Sequence, residues 1–141
     1  MMKFELHPRL AQDCLSIGHF DLCQLLLMND RQYPWFILVP KIPDLTEIYQ
    51  LNAAQRQQLM TESCYLTETL EGIFKADKMN LGSLGNIVPQ LHIHHIVRHQ
   101  SDPAWPGPVW GKYTAIAYEE VQIRDILQRL KHHLQPFRFE E

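Results

Sequence analysis

The sequence predicts an α+β fold: an antiparallel β-sheet with a long central helix and a C-terminal helix. Three observations predict it. Two apolar runs of strand length are divided by a turn-rich segment, one long amphipathic stretch occupies mid-chain, and a second closes the chain. Strands grouped around one central helix, rather than alternating with several, favour α+β over α/β. At 141 residues the chain is expected to form a single domain over 1–141, with its core at about 20–110 and the last helix at about 118–134.

Taken in order, residues 4–18 are ambiguous, either a short helix or an irregular lead-in. The run from Asp21 to Met28, DLCQLLLM, and the run Trp35 to Val39 flank NDRQYP, and together they read as a β-hairpin. Asn52 is a good N-cap, and Gln55 three residues later completes a capping-box pattern. Leu59, Ser63, Leu66, Leu70 and Ile73/Phe74 then recur at steps of three and four, so a helix is predicted from Asn52 to near Gly72. Lys78 to Leu81 reads as a strand, followed by the small-residue loop GSLGN. QLHIHHIVR, residues 90–98, is a further strand, and the loop DPAWPGPVWG follows it. In the final helix Glu119 and Glu120 open the stretch while Lys131, His132 and His133 close it, the charge order that complements a helix dipole.

Composition narrows the function. Hydrophobic residues make up 45% and charged residues 21%, a balance that suits a core-forming globular chain. Net charge is −3 without a basic block, which argues against long nucleic acid as a partner but not against a small anion. No stretch approaches a membrane span and the first twenty residues lack a signal-peptide run, so a cytoplasmic protein is expected. Cys14, Cys23 and Cys64 form no C-x-x-C pair and are read as reduced thiols.

Half of the eight histidines fall between positions 92 and 99. In a strand Gln90, His92, His94, Ile96 and Arg98 share one face, with side chains about 6.5 to 7 Å apart. Leu91, Ile93, His95 and Val97 take the other face, apolar except for His95, which is expected to be a satisfied core histidine. A row of imidazoles on one side of a greasy strand is not what packing alone favours. Two histidines at i and i+2 also make a familiar pair of metal ligands, although no third ligand is demanded by the spacing.

QLHIHHIVR resembles the signature of the histidine triad (HIT) family, His-φ-His-φ-His-φ-φ with φ apolar, commonly followed by arginine. His92 takes the middle position and His94 the third, while Gln90 stands in the first. The order of Asp21, LLLMND, WFILVPK, the helix, Asn80 and Gly85-Asn86, with WPG after the signature, is similar to the family over roughly residues 20–110. The resemblance implies a nucleotide phosphate hydrolase or nucleotidyl transferase, similar to diadenosine polyphosphate hydrolases. Its substrates would be dinucleoside polyphosphates, nucleoside phosphoramidates or adenylates, with His92 taking up the nucleotidyl group and no catalytic metal cofactor required. It further implies that Gln90 and His94 assist His92, that Asp21, Asn29, Asn80, Gly85 and Asn86 meet the nucleotide, and that pairing as a homodimer is to be expected.

Three residues depart from the pattern. An amide at Gln90 hydrogen-bonds but does not shuttle protons near neutral pH. Ile87 offers no side-chain phosphate contact, and His95 replaces an apolar residue. Each supporting residue also has a plainer reading: Asp21 as a turn residue, Asn29 and Asn80 as turn chemistry, Gly85 as a loop glycine, Arg98 as a solvated strand end, and Trp105 and Trp110 as caps on the core. A nucleotide-binding protein without catalysis, or a metal-binding protein using His92 and His94, are the alternatives.

Overall fold

A computed structural model describes residues 3–135 and 137–140. The elements run α1 (Pro8–Asp13), β1 (Cys14–His19), β2 (Cys23–Met28), β3 (Trp35–Pro40), α2 (Ala53–Phe74), β4 (Lys78–Gly82), β5 (Ile93–Arg98), α3 (Glu120–Lys131) and β6 (Arg138–Phe139). The strands form one six-stranded sheet in the order β4-β5-β3-β2-β1-β6, and all its pairings are antiparallel. This is the expected α+β architecture.

Both apolar runs of the hairpin are buried on two sides, which is why they read as continuous rather than alternating. On one side Leu25, Leu27, Phe36, Leu38, Ile93 and Val97 pack with Leu66 and Leu70 of α2 and Leu130 of α3. On the other, Leu26, Ile37, Val39 and Ile96 meet Leu10, Tyr33, Trp35 and Val109, with Phe4, Leu6 and Trp110 packed at the margin. The α2-distal face is thus roofed by the N-terminal segment and the loop after β5 rather than by a helix layer.

The Asn52 cap forms as expected: its Oδ1 accepts from the Gln55 N–H at 2.8 Å while Gln55 Oε1 accepts from the Asn52 N–H at 2.9 Å. The helix passes Gly72 and stops at Phe74, because Lys75 turns left-handed with φ 52° and ends the hydrogen-bond ladder. The last helix is shorter than predicted. The Tyr118 N–H is held on Asn29 Oδ1 at 2.9 Å, and the helix starts at Glu120, after its N-cap Glu119.

The lead-in resolves into α1 and a full strand, β1, and a sixth strand forms at the end of the chain. Position 18 fixes that last pairing. A Cβ on Gly18 would lie 2.1 Å from the Arg138 carbonyl oxygen, so only glycine lets β6 approach β1 beside the bulge between Ser16 and Gly18. Among the described residues no helix is long and apolar enough to cross a membrane.

Candidate functional site

The histidine strand begins three residues later than its sequence pattern suggests. Gln90, Leu91 and His92 lead into β5, and the ladder pairs Ile37 with His94 and Leu38 with Ile93. The alternation of faces nevertheless holds. Ile93 and Val97 belong to the helix-side core, and Ile96 belongs to the opposite one.

Each imidazole has one nitrogen committed by a neighbour of fixed polarity. His92 Nδ1 lies 2.7 Å from the Gln90 carbonyl oxygen. A carbonyl only accepts, so in the neutral ring Nδ1 carries the hydrogen and Nε2 the lone pair. His94 is wired the opposite way. Trp35 Nε1–H, which only donates, reaches His94 Nδ1 at 2.9 Å, so the hydrogen of His94 sits on Nε2. Neither Nε2 has a hydrogen-bond partner among the described residues. The two rings stand edge to face with centroids 5.0 Å apart. Burial, with His92 and His95 adding to it, pushes His94 down to about 3, so this ring is a neutral N–H donor near pH 7.

His92 and His94 are each 5% exposed. Neither ring lines the neighbouring cleft of about 300 Å³, which is bounded by Glu47, Tyr49, Ser83, Gly85, Gln90 and Leu91, among others. Ser83 ties that cleft to the histidine, since its Oγ donates to the His92 carbonyl at 3.0 Å. A second cleft, of about 370 Å³, shares Gln90 and Pro89 and is bounded by Lys3, Glu5 and His7 of the N-terminal segment.

Gln90 itself does not turn its amide to His92 or His94. Its Oε1 accepts from the His7 N–H at 2.8 Å and its Nε2 donates to the Glu5 carbonyl at 2.8 Å. The amide therefore clamps the N-terminal segment, and it is the backbone carbonyl of Gln90 that serves His92. His95 behaves as a core histidine: Nδ1–H donates to Ile93 O at 3.0 Å, and Nε2 accepts from Ser63 Oγ at 2.7 Å. Burial pushes His95 down to about 4.

Arg98 is not a solvated strand end but 1% exposed. It forks onto Asp102, Nε to Oδ2 at 2.7 Å and Nη2 to Oδ1 at 3.1 Å, and Nη1 donates to Asn80 Oδ1 at 2.8 Å. Burial would raise the Asp102 carboxyl, but Arg98 and the N–H groups of His99 and Trp105 outweigh it and hold it below its usual value. Tyr33 and Trp105 lie 5.8 and 5.7 Å from the guanidinium.

The remaining expected nucleotide contacts are dispersed. Asn80 is engaged by Arg98, and Asn29 by the Tyr118 N–H. Asp21, exposed in the β1–β2 turn, lines a cavity with Gln58, Thr61, Glu62 and Tyr65 on the α2 side of the sheet. Gly85 and Asn86 are exposed in the loop after β4, and Gly85 lines the cleft beside Gln90. Among the described residues no three His, Cys, Asp or Glu side chains lie close enough together to share a metal ion. Trp35 and Ser83 lie beside His94 and His92 without having been singled out for it. Trp35 was hidden inside an apolar run, where an indole looks like any other core residue.

An antiparallel α+β sheet that carries a pair of oppositely wired histidines at one strand end defines a histidine-strand protein. The HIT domain family model matches residues 9–101, and the chain belongs to the HIT family. A histidine triad protein from Marinobacter aquaeolei VT8 is 50% identical, over 95% of this chain and 98% of that one, with a TM-score of 0.93. One from Bradyrhizobium japonicum is 41% identical over 94% and 98%, with a TM-score of 0.92. A third, from Sinorhizobium meliloti 1021, is 43% identical over 93% and 97%, with a TM-score of 0.90. Among curated proteins none matches the chain.

Proposed function

We propose that the protein is a nucleotide phosphate hydrolase or nucleotidyl transferase working through a nucleotidyl-His92 intermediate. The observation that carries this reading is the bond from His92 Nδ1 to the Gln90 carbonyl, which in the neutral ring places the lone pair on Nε2. In the first step that lone pair forms a bond to the α-phosphorus, and the bond from phosphorus to the leaving group breaks with its electron pair. The ring then carries phosphorus on Nε2 and hydrogen on Nδ1, and the Gln90 carbonyl faces the resulting positive charge. In the second step water or another acceptor attacks phosphorus, the electrons of the P–N bond return to Nε2, and the acceptor's proton leaves to solvent.

The neighbours limit which bonds can break. His94 presents Nε2–H, but giving that proton away would leave an imidazolate, and taking a second one at Nδ1 would set two hydrogens against each other at Trp35. It stabilises charge on a phosphoryl oxygen without acting as a proton relay. Gln90 supplies no proton either, its amide being spent on residues 5 and 7. The leaving group must then depart as a stable anion, as a nucleotide phosphate or a carboxylate does and an amine does not. Dinucleoside polyphosphates and acyl adenylates fit that requirement better than phosphoramidates.

The reading is tested by turnover of diadenosine triphosphate, diadenosine tetraphosphate and an acyl adenylate against adenosine 5′-phosphoramidate. The anhydrides should be cleaved with kcat/KM at least about 100-fold higher, about 3 kcal/mol in barrier. Equal or preferred phosphoramidate cleavage would contradict the leaving-group argument. Binding of all four without turnover would favour a nucleotide-binding protein without catalysis.

A further inference from the structure

Residues 90–92 stand just ahead of β5, outside both ladders that flank it. The pairing with β3 ends at Leu38 and Ile93, and that with β4 ends at Gly82 and His94. Isolated bonds hold this stretch instead. The Leu91 N–H donates to the Leu45 carbonyl at 2.8 Å, and the His92 carbonyl accepts from Ser83 Oγ at 3.0 Å. The Gln90 carbonyl, which accepts from His92 Nδ1, shares one planar peptide group with the Leu91 N–H and points to its opposite side. Leu45 therefore fixes one side of that plane while His92 uses the other. What remains is to hold residue 90 itself.

The side chain of Gln90 does so. Its Oε1 accepts from the His7 N–H and its Nε2 donates to the Glu5 carbonyl, each at 2.8 Å. These two backbone groups flank Leu6, and one amide meets both, much as a neighbouring strand would. A neutral imidazole also carries one donor and one acceptor, but they diverge around the ring and do not meet both groups from one position. Among the described residues, these are the hydrogen bonds that join residues 3–7 to anything beyond α1. Phe4 and Leu6 add only partly buried contacts to the apolar cluster opposite α2.

We propose that Gln90 is a positioning residue for His92: its amide, by gripping residues 5 and 7, holds the Gln90 carbonyl against Nδ1 and so keeps the neutral ring's lone pair on Nε2. Gln90 acts through its carbonyl and His92 and touches no substrate. A histidine ring free in water favours hydrogen on Nε2, so a loosened carbonyl puts hydrogen where phosphorus must bind. The effect on turnover rests on the nucleotidyl-transfer reading, whereas the effect on the ring does not.

Two variants break the grip from distant points of the chain. Gln90→Glu keeps the side chain's shape and its acceptor but sets a carboxylate oxygen against the Glu5 carbonyl. His7→Pro removes the N–H that Gln90 holds from 83 residues away, at a φ of −55° that proline adopts. In both, 1H–15N spectra of the imidazoles should show the neutral His92 ring moving from Nδ1–H towards Nε2–H. Turnover of diadenosine triphosphate should lose about 5- to 30-fold in kcat, with KM changing less. In the unaltered protein the His7 amide should exchange with D2O at least about 10-fold more slowly than an unstructured amide. A His92 that stays Nδ1–H in both variants, or a His7 amide without protection, overturns the inference and leaves the nucleotidyl-transfer reading standing. A ring that changes tautomer with kcat unaltered overturns both. If the parent turns over none of the four substrates, that reading fails and the spectra alone decide the inference. A variant that does not fold leaves the other variant and the exchange measurement to decide.

Discussion

His92 and His95 are three residues apart and nearly equally hidden, 5% and 0% exposed, yet only one is equipped to react. His95 has both nitrogens occupied, one by the Ile93 carbonyl and one by the Ser63 hydroxyl. His92 has one nitrogen occupied by the Gln90 carbonyl and the other left open. Burial therefore does not separate a structural imidazole from a chemical one at this strand; the count of committed nitrogens does. His94 has the same count as His92 but the opposite wiring, with one nitrogen accepting from Trp35 and its N–H open, which makes it a donor rather than a nucleophile.

The comparison breaks most decisively at His92. His92→Asn removes the Nε2 lone pair while keeping a polar group beside the Gln90 carbonyl. Turnover should drop at least about 10³-fold with little change in thermal midpoint. Steady-state kinetics alongside thermal unfolding checks it, and a variant that is active would place the chemistry elsewhere.

The converse effect belongs to His95. Its folded value of about 4 lies below the ordinary 6.5, so the folded state resists a proton that the unfolded chain accepts. The stability it contributes is present above pH 6.5 and is lost as pH falls towards 4, by about 3 kcal/mol at most for this one ring. His94, pushed lower still, adds to the same acid sensitivity. His95→Leu should flatten the loss between pH 6.5 and 4 in urea unfolding. It should also cost about 1–3 kcal/mol at pH 7, because Ser63 and Ile93 O lose their partner. Its turnover per folded molecule should stay within about threefold of the parent. A large loss of turnover there would mean that the two faces are not separate in function.

Much of this arrangement could be read before any coordinates. The capping box at Asn52 and Gln55 located α2, because both partners lie within one helical turn. Period two sorted His94 from His95 because β5 is a true strand. What escaped depended on distant partners. The amide of Gln90 is claimed by residues 83 and 85 positions away, so its loss to chemistry is invisible in QLHIHHIVR. Asn29 and Asn80 look like turn or ligand asparagines until Tyr118 and Arg98 are brought against them. Strand β1 was hidden because Cys14, Ser16 and Gly18 interrupt its apolar pattern, and its outer edge is completed only by the end of the chain. Arg98 reads as a solvated strand end for a similar reason: Tyr33, far away in the chain, packs against its guanidinium.

The central claim is that phosphorus is taken up by one nitrogen of one ring. Rapid acid-free quenching of the protein with diadenosine triphosphate, followed by peptide mapping under mildly alkaline conditions, reads it directly. An adenylyl group should be found on His92 and be absent from His92→Asn. An adduct on His94, on His95 or on no histidine during active turnover would contradict it.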